Sequence, residues 1–136
     1  MVEVKITKES EMKNGIVQCA AVVALTFSSL AISAPETSFK TAVSPILHDY
    51  CLSCHQPGGK GFEKSGLDMS SYDTLMKGTR FGSVIKPGDS FTSIFIQVVE
   101  GRVHASIKMP FGMDGGLAKE KISVLKKWVD QGAKNN

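Results

Sequence analysis

Cys51, Cys54 and His55 stand in one five-residue stretch, Cys51-Leu52-Ser53-Cys54-His55, whose residue types and spacing point to a defined chemistry. Two thiols three positions apart on a helical turn share a face, and the imidazole that follows projects from the same turn. This is the C-x-x-C-H pattern of c-type haem attachment, in which each thiol adds to a vinyl group and the imidazole ligates iron. A thioredoxin-like redox pair expects a strand-helix-strand setting, and the surroundings here read as helical. A zinc site would need more ligands. Besides His55, the chain after Ala34 offers no cysteine beyond this pair and only His48 and His104. A disulfide across three residues closes too short a loop to stabilise much. The expected cofactor is therefore one covalent haem c with its iron, held by Cys51 and Cys54 and ligated on the proximal side by His55.

The iron needs a sixth position. Met109 is the first candidate, because Met109-Pro110 lies late in the chain on a glycine-bearing loop ahead of a terminal helix, and Pro110 stiffens the backbone beside it. A thioether there raises the reduction potential relative to a second imidazole, which suits an electron carrier. Met113, His104 and an open site are the alternatives. Met69 and Met76 read as core-filling side chains, and His48 as a surface or neighbouring residue rather than a ligand.

The elements that must position these groups read as helices. Pro35 to Ser38 supplies a cap, and Phe39, Val43, Leu47 and Tyr50 recur at helical spacing, with Pro45 either kinking this helix or marking its true start. The helix runs into the Cys51–His55 motif. From Gln56 to Gly66, one proline and four glycines predict a long loop. Ser70-Ser71 caps a short helix through Leu75 and Met76 that stops at Gly78. Pro87 to Ser90 opens another, with Ile94, Phe95, Val98 and Val99 inward and Gly101 as its stop; its β-branched residues would also suit a strand. A last helix spans about Leu117 to Gln131, burying Ile122, Leu125, Trp128 and Val129. The fold class is all-α.

The whole chain has 136 residues and a formal net charge of +3, from 16 Lys and Arg against 13 Asp and Glu, a balance too weak to indicate nucleic acid. Gly15 to Ile32 is apolar, follows Lys13, and leads into Ala31-Ile32-Ser33-Ala34-Pro35, a small-x-small pattern. Residues 1–33 are expected to be an export signal cleaved after Ser33, with Met12 as an alternative translation start. The other reading is a retained membrane anchor. Cleavage removes Cys19 and leaves a 34–136 domain of about 100 residues in the periplasm, small enough to gain from a covalent cofactor as part of its core.

The ordered signposts after the signal resemble those of class I-type monohaem cytochromes c, and especially the short cytochrome c domains of planctomycetes and other environmental bacteria. The resemblance runs from Phe39 to Ala133. It rests on the haem motif, Gly66-Leu67-Asp68-Met69, Ile85 to Ser90, Lys108-Met109-Pro110 and Trp128-Val129 with Gly132-Ala133. It implies small helices wrapped around the haem, with the first and last helices crossing, and it assigns the distal ligand to Met109. Many class I members carry a Gly-Pro pair after the haem motif, whose proline carbonyl accepts from the proximal imidazole. Here Ser65-Gly66-Leu67 stands there without proline, so another carbonyl must orient His55. The function this implies is one-electron transfer between redox protein partners, with no small-molecule substrate and no catalysis of its own. The alternatives are a haem-based gas sensor and a haem subunit of a larger oxidoreductase. Lys60, Lys64 and Lys108, expected on loops beside the haem ligands, are candidates for steering an acidic partner.

Overall fold

Pro45 shapes the start of the domain. Its nitrogen carries no proton and its ring excludes a regular turn, so the Thr41 carbonyl cannot find its usual partner. The preceding amides reach one residue further back: Ser44 donates to Phe39, and Val43 donates to Ser38 at 3.3 Å. Phe39–Val43 is thus a π-helical turn, and α1 follows as Ser44–Tyr50 with Pro45 in its first turn. Of the two expectations for Pro45, it marks the start of the regular α-helix.

These elements come from a computed structural model that describes residues 35–136. The export signal, its cleavage point and Cys19 lie outside the described residues. The other helices are α2 (Lys60–Ser65), α3 (Tyr72–Lys77), α4 (Ile94–Glu100) and α5 (Lys119–Asp130), with a 3₁₀ turn at Ala105–Ile107. No strand forms among the described residues beyond an isolated bridge between Thr79 and Gly82, and none of their helices is long and apolar enough to cross a membrane.

Several sequence expectations need correction. Ile94, expected to face inward, is 49 % exposed, and Ile96 is buried instead. The stretch Gln56 to Gly66 is not all loop, because it contains α2. Gly59 supplies the extended N-cap, and the Ser65 hydroxyl closes the last turn by donating to the Gly61 carbonyl at 2.7 Å. Nor does Pro87-Gly88-Asp89-Ser90 open α4 directly. Asp89 accepts from the Thr92 amide at 3.0 Å and Ser93 Oγ accepts from the Lys86 amide at 2.8 Å, so these residues fold into successive turns and the helix begins at Ile94. The β-branched residues of α4 adopt the helix all the same, since Phe95, Ile96 and Val99 share a buried face.

The core joins the first and last helices. Phe39 packs on Trp128 of α5 with ring centroids 5.5 Å apart, and Tyr72 meets Phe39 edge-on at 5.2 Å. Val43, Leu47, Leu75, Ile96, Leu125 and Val129 fill the surrounding space. Hydrogen bonds then pin the two chain ends of the domain together. The Thr37 amide donates to Gln131 Oε1 at 2.7 Å, and the Phe39 amide donates to Asn136 Oδ1 at 2.8 Å.

Candidate haem-attachment site

Helix α1 delivers its last turn directly to the cysteines. The Cys51 amide donates to the Leu47 carbonyl at 2.9 Å, continuing the helical pattern one step past Tyr50. The chain then tightens, and the amides of Cys54 and His55 both donate to the Cys51 carbonyl, at 3.1 and 3.0 Å. One carbonyl therefore gathers all three residues of the motif into a single turn. Both thiols are free, Cys51 half-buried and Cys54 exposed. Burial pushes the Cys51 thiol up to about 11, and the neighbouring Cys54 pushes in the same direction.

His55 is buried. Its backbone is held by the Met69 amide, which donates to the His55 carbonyl at 2.8 Å, and the adjacent Cys54 carbonyl accepts from the Phe62 amide at 2.9 Å. These two bonds dock the Leu67–Ser70 segment and α2 onto the turn. Burial lowers the imidazole pKa, while the Leu67 backbone carbonyl pulls the other way. Leu67 is thus the backbone group that acts on the His55 imidazole, in the Ser65-Gly66-Leu67 segment that lacks a proline. Nδ1 of the buried ring has no hydrogen-bond partner.

Two glycines make the approach of α2 feasible. A Cβ on Gly59 would lie 2.4 Å from the Cys54 carbonyl oxygen, and one on Gly61 would lie 2.8 Å from Cε1 and 2.9 Å from Nε2 of His55. Gly59 has an extended backbone, φ −82° and ψ 146°, that any residue adopts. Glycine stands there for lack of space and not for a left-handed conformation. Sequence reasoning missed the roles of Gly61 and Leu67. The only signals were the Gly59-Lys60-Gly61 spacing and the place of Leu67 in the family pattern.

The remaining candidates are placed separately. Met109 is half-buried against the core, and its amide donates to the Val98 carbonyl of α4 at 2.9 Å. Its polar tether therefore runs to α4 rather than to the cysteine turn. The Met109–Pro110 peptide is cis. Met113 is 40 % exposed. His104 is exposed and caps the 3₁₀ turn, its Nδ1 accepting from the Ser106 amide. His48 is exposed beside Asp49. Met69 is buried and Met76 half-buried, as expected of core side chains. Lys60 and Lys64 are not on a loop but on exposed positions of α2.

Residues 51–110 match the family model described as planctomycete cytochrome C. The matched span opens on the first cysteine of the turn and closes on the proline after Met109. The chain carries a planctomycete-type cytochrome c domain. No curated protein and no solved structure matches the chain.

A cytochrome c domain implies covalently bound haem, an electron-carrier role and redox protein partners, and the residues present fit that group. Cys51 and Cys54 offer two unpaired sulfurs from one turn, and His55 offers a buried imidazole held by backbone bonds on both sides. The buried Nδ1 without a partner is the kind of atom that would orient the ring through a backbone carbonyl while its other nitrogen would serve the iron. Bound there, the haem supplies a one-electron redox centre.

Proposed function

We propose that the chain is an exported, periplasmic one-electron carrier with a single haem c, attached through Cys51 and Cys54, with His55 and Met109 as the two axial ligands. Residues 1–33 act as the cleaved export signal in this reading. The class I arrangement follows, with the helices wrapped around the haem and one haem edge presented to partner proteins. The observation that carries the proposal is the single turn that gathers two free thiols and a buried imidazole onto the Cys51 carbonyl. The anchoring of Met109 to α4 supports its choice over Met113, since an ordered side chain against the core loses less freedom on ligation than one that is 40 % exposed.

The protein's part in this function is to hold both ligands in place through the redox cycle and to limit water at the iron. It needs no general acid or base, and catalysis forms no part of the proposal. Optical and magnetic spectra of the purified protein provide the test. A low-spin iron in both oxidation states, with a methionine-to-iron charge-transfer band at the red end of the oxidised spectrum, is the expected result. A high-spin reduced iron that binds carbon monoxide without losing a ligand would replace this reading with a gas-binding one.

A further inference from the structure

One groove among the described residues has a lining remote in sequence from the cysteine turn. It has a volume of about 970 Å³ and lies between α4, α5 and the loop that joins them. Five cations line it: Arg102, Lys108, Lys119, Lys126 and Lys127. Only two carboxylates do, Glu100 and Asp130. Removing these five from the chain's 16 cations, and these two from its 13 carboxylates, leaves eleven of each. The entire formal excess of the chain, +3, therefore resides in this one groove.

Internal pairing does not cancel it. Glu100 is held by Lys126 at 2.6 Å and by Arg102. Asp130 accepts from the amide and hydroxyl of Ser90 at 2.8 and 3.0 Å. Both carboxylates are thus engaged by the protein itself. Lys108, Lys119 and Lys127 form no ion pair among the described residues. Lys108 is also positioned: its aliphatic stem crosses Gly101 and Gly116, where Cβ atoms would come within 3.3 and 3.5 Å of its Cε. Both glycines have φ of 72°, so these left-handed bends let the stem lie flat.

We propose that this groove binds an acidic, leucine-bearing peptide segment of a partner protein. Carboxylates would meet the three unpaired lysines, and aliphatic side chains would lie on Ile122 and the lysine stems. A concave site between two helices admits a single chain segment, whereas a lipid surface is flat. A nucleic-acid backbone would match the charge but leave the apolar part of the lining uncovered. The inference does not rest on the electron-transfer reading, because no residue of the cysteine turn lines the groove.

The test is titration of the full-length, haem-loaded protein, ¹⁵N-labelled and reduced, with a short peptide of glutamates interspersed with leucines. Saturable shifts should centre on Lys108, Gly116, Lys119 and Lys127, and affinity should fall as salt is raised. The double change Lys119→Glu with Lys127→Glu, at two exposed positions, should weaken binding by about tenfold or more, while Lys40→Glu with Lys77→Glu, two exposed positions outside the groove, should leave it unchanged. The optical spectrum of each variant reports that the domain is folded. Shifts centred on α2, indifference to the groove reversals, or tighter competing binding by a DNA strand or by phosphatidylglycerol vesicles would each overturn the proposal.

Discussion

Gly61 approaches the imidazole of His55 so closely that a single added methyl group would lie 2.8 Å from the ring. The contact couples a helix that sequence periodicity does not reveal to the histidine that closes the Cys51–His55 motif. The Cys54 carbonyl lies 3.0 Å from the same Cβ position, so the methyl group would meet backbone as well as ring.

Gly61→Ala therefore separates local from tertiary effects. Within a helix the change favours the folded form by about 1 kcal/mol, because alanine loses less backbone freedom than glycine. At this site it must displace either the ring or the helix. We expect weaker proximal ligation, read as a rise in the high-spin fraction of the oxidised spectrum. An unchanged spectrum with a higher unfolding midpoint would show that the ring yields at no cost.

Met109→Ala should abolish the methionine-to-iron charge-transfer band, and Met113→Ala should leave it in place. The comparison is direct because the two residues lie on one loop yet differ in anchoring, Met109 through α4 and Met113 in the open. Loss of the band only with the Met113 change would move the distal ligand four residues along.

Ser90 and Asp130 are forty residues apart and are joined by two hydrogen bonds. Ser90 is buried, so removing its partner leaves a donor without water. Asp130→Ala should destabilise the domain by about 1–3 kcal/mol, measured as a lower urea midpoint at an unchanged denaturant slope. The spectrum of the folded protein should not change.

Glu100 has a pKa below the ordinary carboxylate value, first through its hydrogen bond from Lys126 and then through Arg102. A carboxylate depressed in the folded state adds stability above its unfolded pKa of about 4.3, and loses that contribution as pH falls through the lower folded value. Wild type should therefore lose stability relative to Glu100→Gln as pH drops below about 4.3, and should exceed it at neutral pH. Urea midpoints of both proteins across pH 7 to 3 would show the two curves converging; parallel curves would remove Glu100 from the acid response.

Tyr72 donates its hydroxyl to the Ala133 carbonyl at 2.8 Å while its ring meets Phe39 edge-on. Tyr72→Phe keeps the ring and removes the bond, so a loss of about 1 kcal/mol is expected. Thermal unfolding followed by far-ultraviolet circular dichroism would measure it, and an unchanged midpoint would leave the aromatic contact as the whole of this residue's contribution.

The candidate chemistry and most of the helices are legible in the sequence alone. Two thiols and an imidazole at fixed spacing need only one turn to act together, so Cys51, Cys54 and His55 could be read without knowing what surrounds them. The apolar spacing of Phe39, Val43 and Leu47, and of Leu125, Trp128 and Val129, likewise follows from a single helix needing one buried face. Tertiary structure decided whatever depends on distance between segments. Helix α2 lies in a glycine-rich stretch that local propensity disfavours, and it is held by Phe62 and Ser65 hydrogen bonds to the cysteine turn and to its own backbone. The Leu67 backbone acts on His55 only because the Met69 amide docks that segment of chain onto the turn. The groove's charge is assembled for the same reason: Arg102 and Lys108 join the three lysines of α5 only when α4 and the loop after it pack against that helix.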